Sequence, residues 1–82
     1  MHCILMQKTK NPSLVKLGEN IRELREAQGV SQEELAEKAD LDRTYVGGVE
    51  RGERNLTILS TLKLCFALDV ELSDLTKGVK SA

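Results

Sequence analysis

The stretch QEELAEKADLDRTYVGGVER, Gln32 to Arg51, decides the fold. It contains two runs of helical character, Gln32 to about Ala39 and Arg43 to about Arg51, separated by Asp40-Leu41-Asp42. Ser31 precedes the first run and Glu34 follows three residues on. That is the spacing of a capping box, in which hydroxyl and carboxylate each satisfy an N–H group that the helix end leaves unpaired. Asp42 is placed to cap the second run. Leu35, Ala36 and Ala39 share one face of the first run, Val46 and Val49 one face of the second, and Leu41 lies between them. Helices of about eight residues are not stable alone in water. These two must pack on each other and on a longer element.

That element lies upstream. Pro12 suits a first helical turn, and Leu14, Leu17, Ile21 and Leu24 recur at helical spacing, which predicts a helix over about 13–28 closed by Gly29 in a left-handed conformation. Downstream, Gly52 to Leu56 reads as a loop. Thr57 then begins a helix over about 57–68, with Ile58, Thr61, Cys65 and Leu68 expected to face the core. A short last helix, about 72–77, is expected to bury Leu72 and Leu75. The predicted fold is all-α: one five-helix domain over 12–77, a disordered or loosely packed tail over 1–11 and a C-terminal tail over 78–82.

Eighty-two residues allow one domain with a small core, so a partner subunit is a natural source of further buried surface. One Phe, one Tyr and no Trp disfavour a β-sandwich or a base-stacking RNA platform. The net charge of −1 hides a segregation: Glu33 to Asp42 is acidic, whereas Arg43, Arg51 and Arg54 follow within twelve residues. Binding to nucleic acid through those cations would be weak without specificity and sensitive to salt. Cys3 and Cys65 have no partners at metal-ligand spacing, so no metal site is expected, and residence in the cytoplasm would keep both thiols reduced. The apolar run near Ile4 is too short for a signal peptide or a membrane span. With a single His and no framed carboxylate pair, the chain reads as a non-enzyme without a cofactor.

With these rules in place, Gln32 to Arg51 resembles the helix-turn-helix of the Cro/repressor (Xre) family. In that frame Leu35 points to the core, Ala36 is small where two helices cross, Leu41 plugs the turn, and Val46 and Val49 anchor the recognition helix. Asp40 departs from the family, which usually has Gly there; Asp tolerates a left-handed backbone better than most residues. Leu41 to Ile58, LDRTYVGGVERGERNLTI, is similar to the controller proteins of restriction–modification systems, in which a run like Asp-Arg-Thr-Tyr opens the recognition helix and Arg-Asn-Leu-Thr-Ile follows it.

The resemblance implies a repressor-like, sequence-specific DNA-binding transcriptional regulator acting as a homodimer, with autoregulation of a restriction–modification system as its particular role. The alternatives are an antitoxin or phage-type repressor on the same fold, or a protein-interaction module that has lost DNA binding. Arg43 and Thr44 would read bases, Arg bidentately at guanine for about 1–3 kcal/mol of discrimination. Tyr45 and Gly48 are grouped with them as base-reading positions on the same outer face; Tyr45 would bond a phosphate or pack on a sugar, or else cover the edge of the core. Each of Gly47 and Gly48 weakens a helix by about 1 kcal/mol relative to Ala. A loose helix end would explain them; otherwise Gly48 spares the groove wall and Gly47 lies against another backbone. Phosphate contacts fall to Ser31 and Gln32 at a helix N-terminus and to Arg54, Asn55 and Thr57 after the recognition helix, with the minor groove as the alternative for Arg54. Arg51 and Lys38 read as solvated surface. Arg25 and Glu50 match a structural ion pair of the family. Leu59, Leu62 and Phe66 form a second apolar stripe, read as a dimer interface or else as core beneath Leu14 or the tail. A two-fold dimer would set recognition helices about 34 Å apart on a near-palindromic operator of double-stranded DNA. Activation would further require a contact with RNA polymerase; no membrane partner is implied.

Overall fold

The computed structural model describes residues 11–80; the expectations for 1–10 and for 81–82 lie outside the described residues. Among the described residues five α-helices follow in order: α1 (Pro12–Ala27), α2 (Gln32–Ala39), α3 (Arg43–Glu50), α4 (Ile58–Leu68) and α5 (Leu72–Leu75). Among the described residues there is no strand. The N-caps of α2, α3 and α4 are those the sequence predicts. Ser31 and Glu34 form the reciprocal capping box of α2, Asp42 accepts from the N–H groups of Thr44 and Tyr45, and Thr57 accepts from that of Ser60.

Three helices end by one rule. Gly29, Asp40 and Asp69 take left-handed backbone angles (φ +69°, +57° and +56°). The next N–H in each case reaches back to the last turn: Val30 to the Arg25 carbonyl, Leu41 to Ala36, Val70 to Cys65, at 3.2, 2.8 and 3.0 Å. Each of those three following residues is apolar and packs on the core. This is the Schellman arrangement, in which an apolar residue after the left-handed position ties the chain reversal to the hydrophobic interior. Asp69 performs it as Asp40 does, without glycine.

The core is filled by Ile21 of α1, Leu35 of α2, Val46 of α3, Leu64 and Leu68 of α4, and Leu75 of α5, each less than 2% exposed. α1 approaches the end of α3 so closely that a methyl group on Gly18 would stand 2.4 Å from the Val49 carbonyl oxygen and 2.6 Å from that of Glu50. Only glycine fits there, and nothing in the periodicity of α1 marks it.

Three expectations are corrected. Ile58 is 78% exposed, and the inner row of α4 is Thr61, Leu64, Cys65 and Leu68. In angle Ile58 falls between Cys65 and Leu62, and in the first turn of α4 it goes with the outer row. Leu72 is 48% exposed, leaving Leu75 alone to anchor α5. The last helix also stops at Leu75 instead of 77, because the Asn20 amide of α1 donates to the Leu75 and Lys77 carbonyls (2.9 and 2.7 Å), where a further helical turn would have used its own N–H groups. The chain then runs back along α1, where the Ser13 hydroxyl donates to the Lys80 carbonyl.

Candidate nucleic-acid interface

α3 has an inner side that fixes it and an outer side that is available. On the inner side Val46 and Val49 are buried, and Leu41 plugs the approach from α2. Glu50 closes the helix as a nearly buried carboxylate, its side chain 2% exposed. It accepts two hydrogen bonds from Arg25, from Nε at 2.7 Å and from Nη2 at 3.0 Å, while Arg25 Nη1 donates to the Val30 carbonyl at 2.8 Å. The hydrogen bond to Glu50 holds the Arg25 guanidinium above its ordinary pKa against the opposing effect of burial. Gln32 adds a third bond to the same carboxylate, Nε2 to Oε1 at 3.0 Å. The Gln32 side chain therefore serves the ion pair; the sequence suggested only its position at a helix start.

On the outer side, Arg43 and Thr44 are exposed in the first turn, opened by the Asp42 cap. Tyr45 does not share that exposure: it is half-buried against the core, and its hydroxyl donates to the Asn55 carbonyl at 2.7 Å. Over its ring, 5.5 Å from the centroid, lies the Arg54 guanidinium.

Gly48 is not bare either. Arg54 covers it, and a methyl group at Gly48 would meet Arg54 Cγ at 2.6 Å before reaching anything outside the molecule. Gly47 faces side chains: a methyl group there would stand 3.2 Å from Arg51 Nη1 and 3.5 Å from Gln32 Oε1; the expected neighbouring backbone belongs to Gly18 instead. Two arginines from the C-terminal side thus lie across the second turn of α3. Arg51 also pairs with Glu53 at 3.0 Å.

Of the remaining predicted contacts, Arg54, Asn55 and Thr57 lie exposed in the loop and cap after α3. The Thr57 hydroxyl oxygen is engaged as an acceptor from the Ser60 N–H at 2.9 Å. At the start of α2, Ser31 and Glu34 satisfy each other at 2.9 and 3.0 Å, and the Ser31 backbone and side-chain hydrogen bonds lower the Glu34 pKa. Glu33 and Glu34 both stand in that first turn, so their negative charge opposes the attraction of the helix end for a phosphate. On α4, Leu59, Leu62 and Phe66 are 64%, 50% and 83% exposed and form one apolar face with Ile58. Cys65 is buried as expected, and burial pushes its thiol pKa up. Among the described residues no group of three or more His, Cys, Asp or Glu side chains could hold a metal ion, and no helix is long and apolar enough to cross a membrane.

Two short helices joined through Asp40–Asp42, the second braced from within and bare at its N-terminal turn, make a helix-turn-helix unit. A helix-turn-helix family model matches residues 21–75, and the chain belongs to that family. Control protein C.SmaI of Serratia marcescens is 46% identical over 67 residues, covering 79% of this chain and 80% of that protein. Control protein C.BamHI of Bacillus amyloliquefaciens is 41% identical over 59 residues, 71% and 73% of the two chains. Among solved structures, the restriction–modification controller protein C.AhdI from Aeromonas hydrophila superposes with a TM-score of 0.78 at 55% identity, over 79% of this chain and 98% of that one. The resemblance seen in Gln32 to Ile58 thus extends across most of the domain.

Proposed function

We propose that this protein is a sequence-specific, DNA-binding transcriptional regulator that acts as a cytoplasmic homodimer and controls the genes of a restriction–modification system, its own among them. The observation that carries the reading is the N-terminal turn of α3. Arg43 and Thr44 stand exposed beyond a capped helix start, while the rest of the helix is locked to the body by Val46, Val49 and the Arg25–Glu50 pair. A braced helix with a bare, cationic first turn is what insertion into a major groove requires.

Arg43 reads guanine edges and Thr44 a neighbouring base. Arg54, Asn55 and Thr57 hold the flanking phosphates, and the backbone at Ser31 and Gln32 adds a weaker contact beside the Glu34 carboxylate. Tyr45 contributes by fixing the loop that carries Arg54 and Asn55. The two copies meet through Leu59, Leu62 and Phe66, joined by Ile58, because an apolar face on so small a domain is stable in water only when covered. The dimer axis makes the operator near-palindromic. Regulation at a promoter brings RNA polymerase alongside, and the chemistry is binding alone, without catalysis or cofactor.

A footprint on the DNA upstream of the protein's own gene tests the reading. Protection of two half-sites one helical turn apart, lost in Arg43→Ala and weakened steeply by added salt, is the expected result. Equal protection by Arg43→Ala removes the base-reading assignment. No protection of any fragment by the wild-type protein favours an interaction module in place of a regulator.

A further inference from the structure

Gly48 presents an unexplained expense in the sequence. Glycine weakens a helix interior relative to alanine. Positive φ angles fall at Gly29, Gly52 and Gly78, so Gly48 has ordinary helical geometry and its backbone would accept any residue. What excludes a side chain is Arg54, whose Cγ, Cδ and Cβ would lie 2.6, 3.5 and 3.8 Å from a methyl group at Gly48. These atoms form the stem of the arginine, not its free end, and the stem cannot swing aside without carrying the guanidinium with it.

The loop that bears Arg54 is strapped to α3 on both sides of that residue. Before it, the Glu53 N–H donates to the Gly48 carbonyl at 2.9 Å; after it, the Asn55 carbonyl accepts from the Tyr45 hydroxyl at 2.7 Å. Between the two straps Arg54 crosses the place a side chain at 48 would fill, and its guanidinium comes to rest over the Tyr45 ring. Gly47 supplies the contrast. The atom nearest to it is Nη1 of Arg51, the tip of a flexible side chain, which can withdraw at little cost.

We propose that Gly48 is a positioning residue for DNA binding: its missing side chain is the seat in which the Arg54 stem lies, so that a loop arginine is fixed at the second turn of α3, from where it meets the flanking phosphate. The seat is a property of the free protein; its consequence for DNA rests on the function proposed above. Thr44 and Gly48 stand four residues apart on one face of α3, so the seated arginine lies beside the row that Arg43 and Thr44 begin.

The test is a thermodynamic cycle. Gly48→Ala, Arg54→Ala and the double variant are titrated against the footprinted operator, with Gly47→Ala as control and thermal unfolding recorded for each. Gly48→Ala is expected to unfold no earlier than the wild type and yet to bind on the order of tenfold more weakly. In the Arg54→Ala background the same change is expected to cost nothing further, and Gly47→Ala to stay within about twofold of wild type. An equal loss in both backgrounds overturns the proposal, since the methyl would then be obstructing DNA directly; so does the absence of any loss while the wild type binds. If the wild type binds no operator, the functional reading fails but the seat remains testable. Nuclear Overhauser contacts between Arg54 and the Tyr45 ring in the free protein should vanish in Gly48→Ala, and their persistence overturns the seat. Should Gly48→Ala fail to fold, rescue by adding Arg54→Ala supports the clash, and failure to rescue refutes it.

Discussion

Helices α3 and α4 feed the same core and differ in what they leave outside. The inner row of α3 is Val46, Val49 and Glu50; that of α4 is Thr61, Leu64, Cys65 and Leu68. Outside, α3 carries Arg43 and Thr44 with two arginines folded over its glycines, whereas α4 carries Ile58, Leu59, Leu62 and Phe66. A cationic outer face can remain in water until a polyanion arrives, but a continuous apolar one is stable only against another apolar surface. The inner sides therefore decide whether the domain folds, and the outer sides decide what it meets.

The largest expected effect lies on the inner side of α3. Glu50→Ala strands the Arg25 guanidinium, whose side chain is 11% exposed, without its carboxylate partner. A loss of about 3–5 kcal/mol is expected, because the largely buried charge is left with only the half-exposed Glu26 carboxylate at 4.0 Å and the Val30 carbonyl. Against the total stability of about 5–15 kcal/mol usual for small domains, that is a large share of the whole, and a domain at the low end of the range would be partly unfolded. Urea denaturation measures it. A loss below about 1 kcal/mol would mean that Gln32 and solvent replace the pair, and that α3 is not braced there.

The outer side of α4 comes next. Leu62→Glu and Phe66→Glu each place a charge in the apolar row, and sedimentation equilibrium is expected to show dimer association weakened by about 2–4 kcal/mol, as for residues central to an interface. The secondary structure of the monomer should be unchanged, since both side chains are exposed in the single chain. If either variant remained fully dimeric, the two copies would have to meet elsewhere. Arg43→Ala is the counterpart on the outer side of α3. It should leave unfolding within about 0.5 kcal/mol of wild type while reducing operator affinity by about 1–3 kcal/mol, measured by fluorescence anisotropy at fixed salt. A fall in stability instead of affinity would reverse the roles of the two sides.

How much of this was legible in the sequence follows the same division. Local rules carried the helix starts at Ser31, Asp42 and Thr57 and the stops at Gly29 and Asp40, because capping depends on neighbours a few residues away. The inner rows were legible from periodicity, apart from Leu64, which is fully buried yet absent from the expected core row, and from Ile58 and Leu72, which lie at helix ends where angle alone does not settle which way a side chain goes. Contacts between distant segments left no such trace. Gly18 against the Val49 carbonyl, Gln32 on Glu50, Asn20 on the α5 carbonyls and Arg54 over Gly48 each join residues on different elements. The glycine pair did announce itself as costly; its cause became visible only when the loop was seen to fold back over the helix.

The smallest expected effect concerns α2, which packs against both α3 and α4 and so should not distinguish them. Ser31→Ala removes the hydroxyl that accepts from the Glu34 N–H, while leaving the residue 31 N–H to donate to the Glu34 carboxylate. Loss of an N-cap of this kind destabilises by about 1 kcal/mol. The Glu34 pKa, lowered first by the backbone bond and then by the hydroxyl, should rise part of the way toward its ordinary value of 4.5 and no further, because the first cause survives. The sign of the linkage follows: a depressed carboxylate pKa contributes stability above the unfolded-state value that is lost as pH falls through the folded one. In Ser31→Ala that contribution is smaller, so the gap in stability between variant and wild type should narrow as acid protonates Glu34 in both. A carboxyl-carbon NMR titration with unfolding curves on either side of pH 4.5 measures both effects. Once folded, the variant should bind operator and self-associate as the wild type does, since the weak phosphate contact proposed at residues 31 and 32 is made by backbone groups that the substitution leaves in place. A selective loss of DNA affinity would instead place the Ser31 hydroxyl itself on the phosphate backbone.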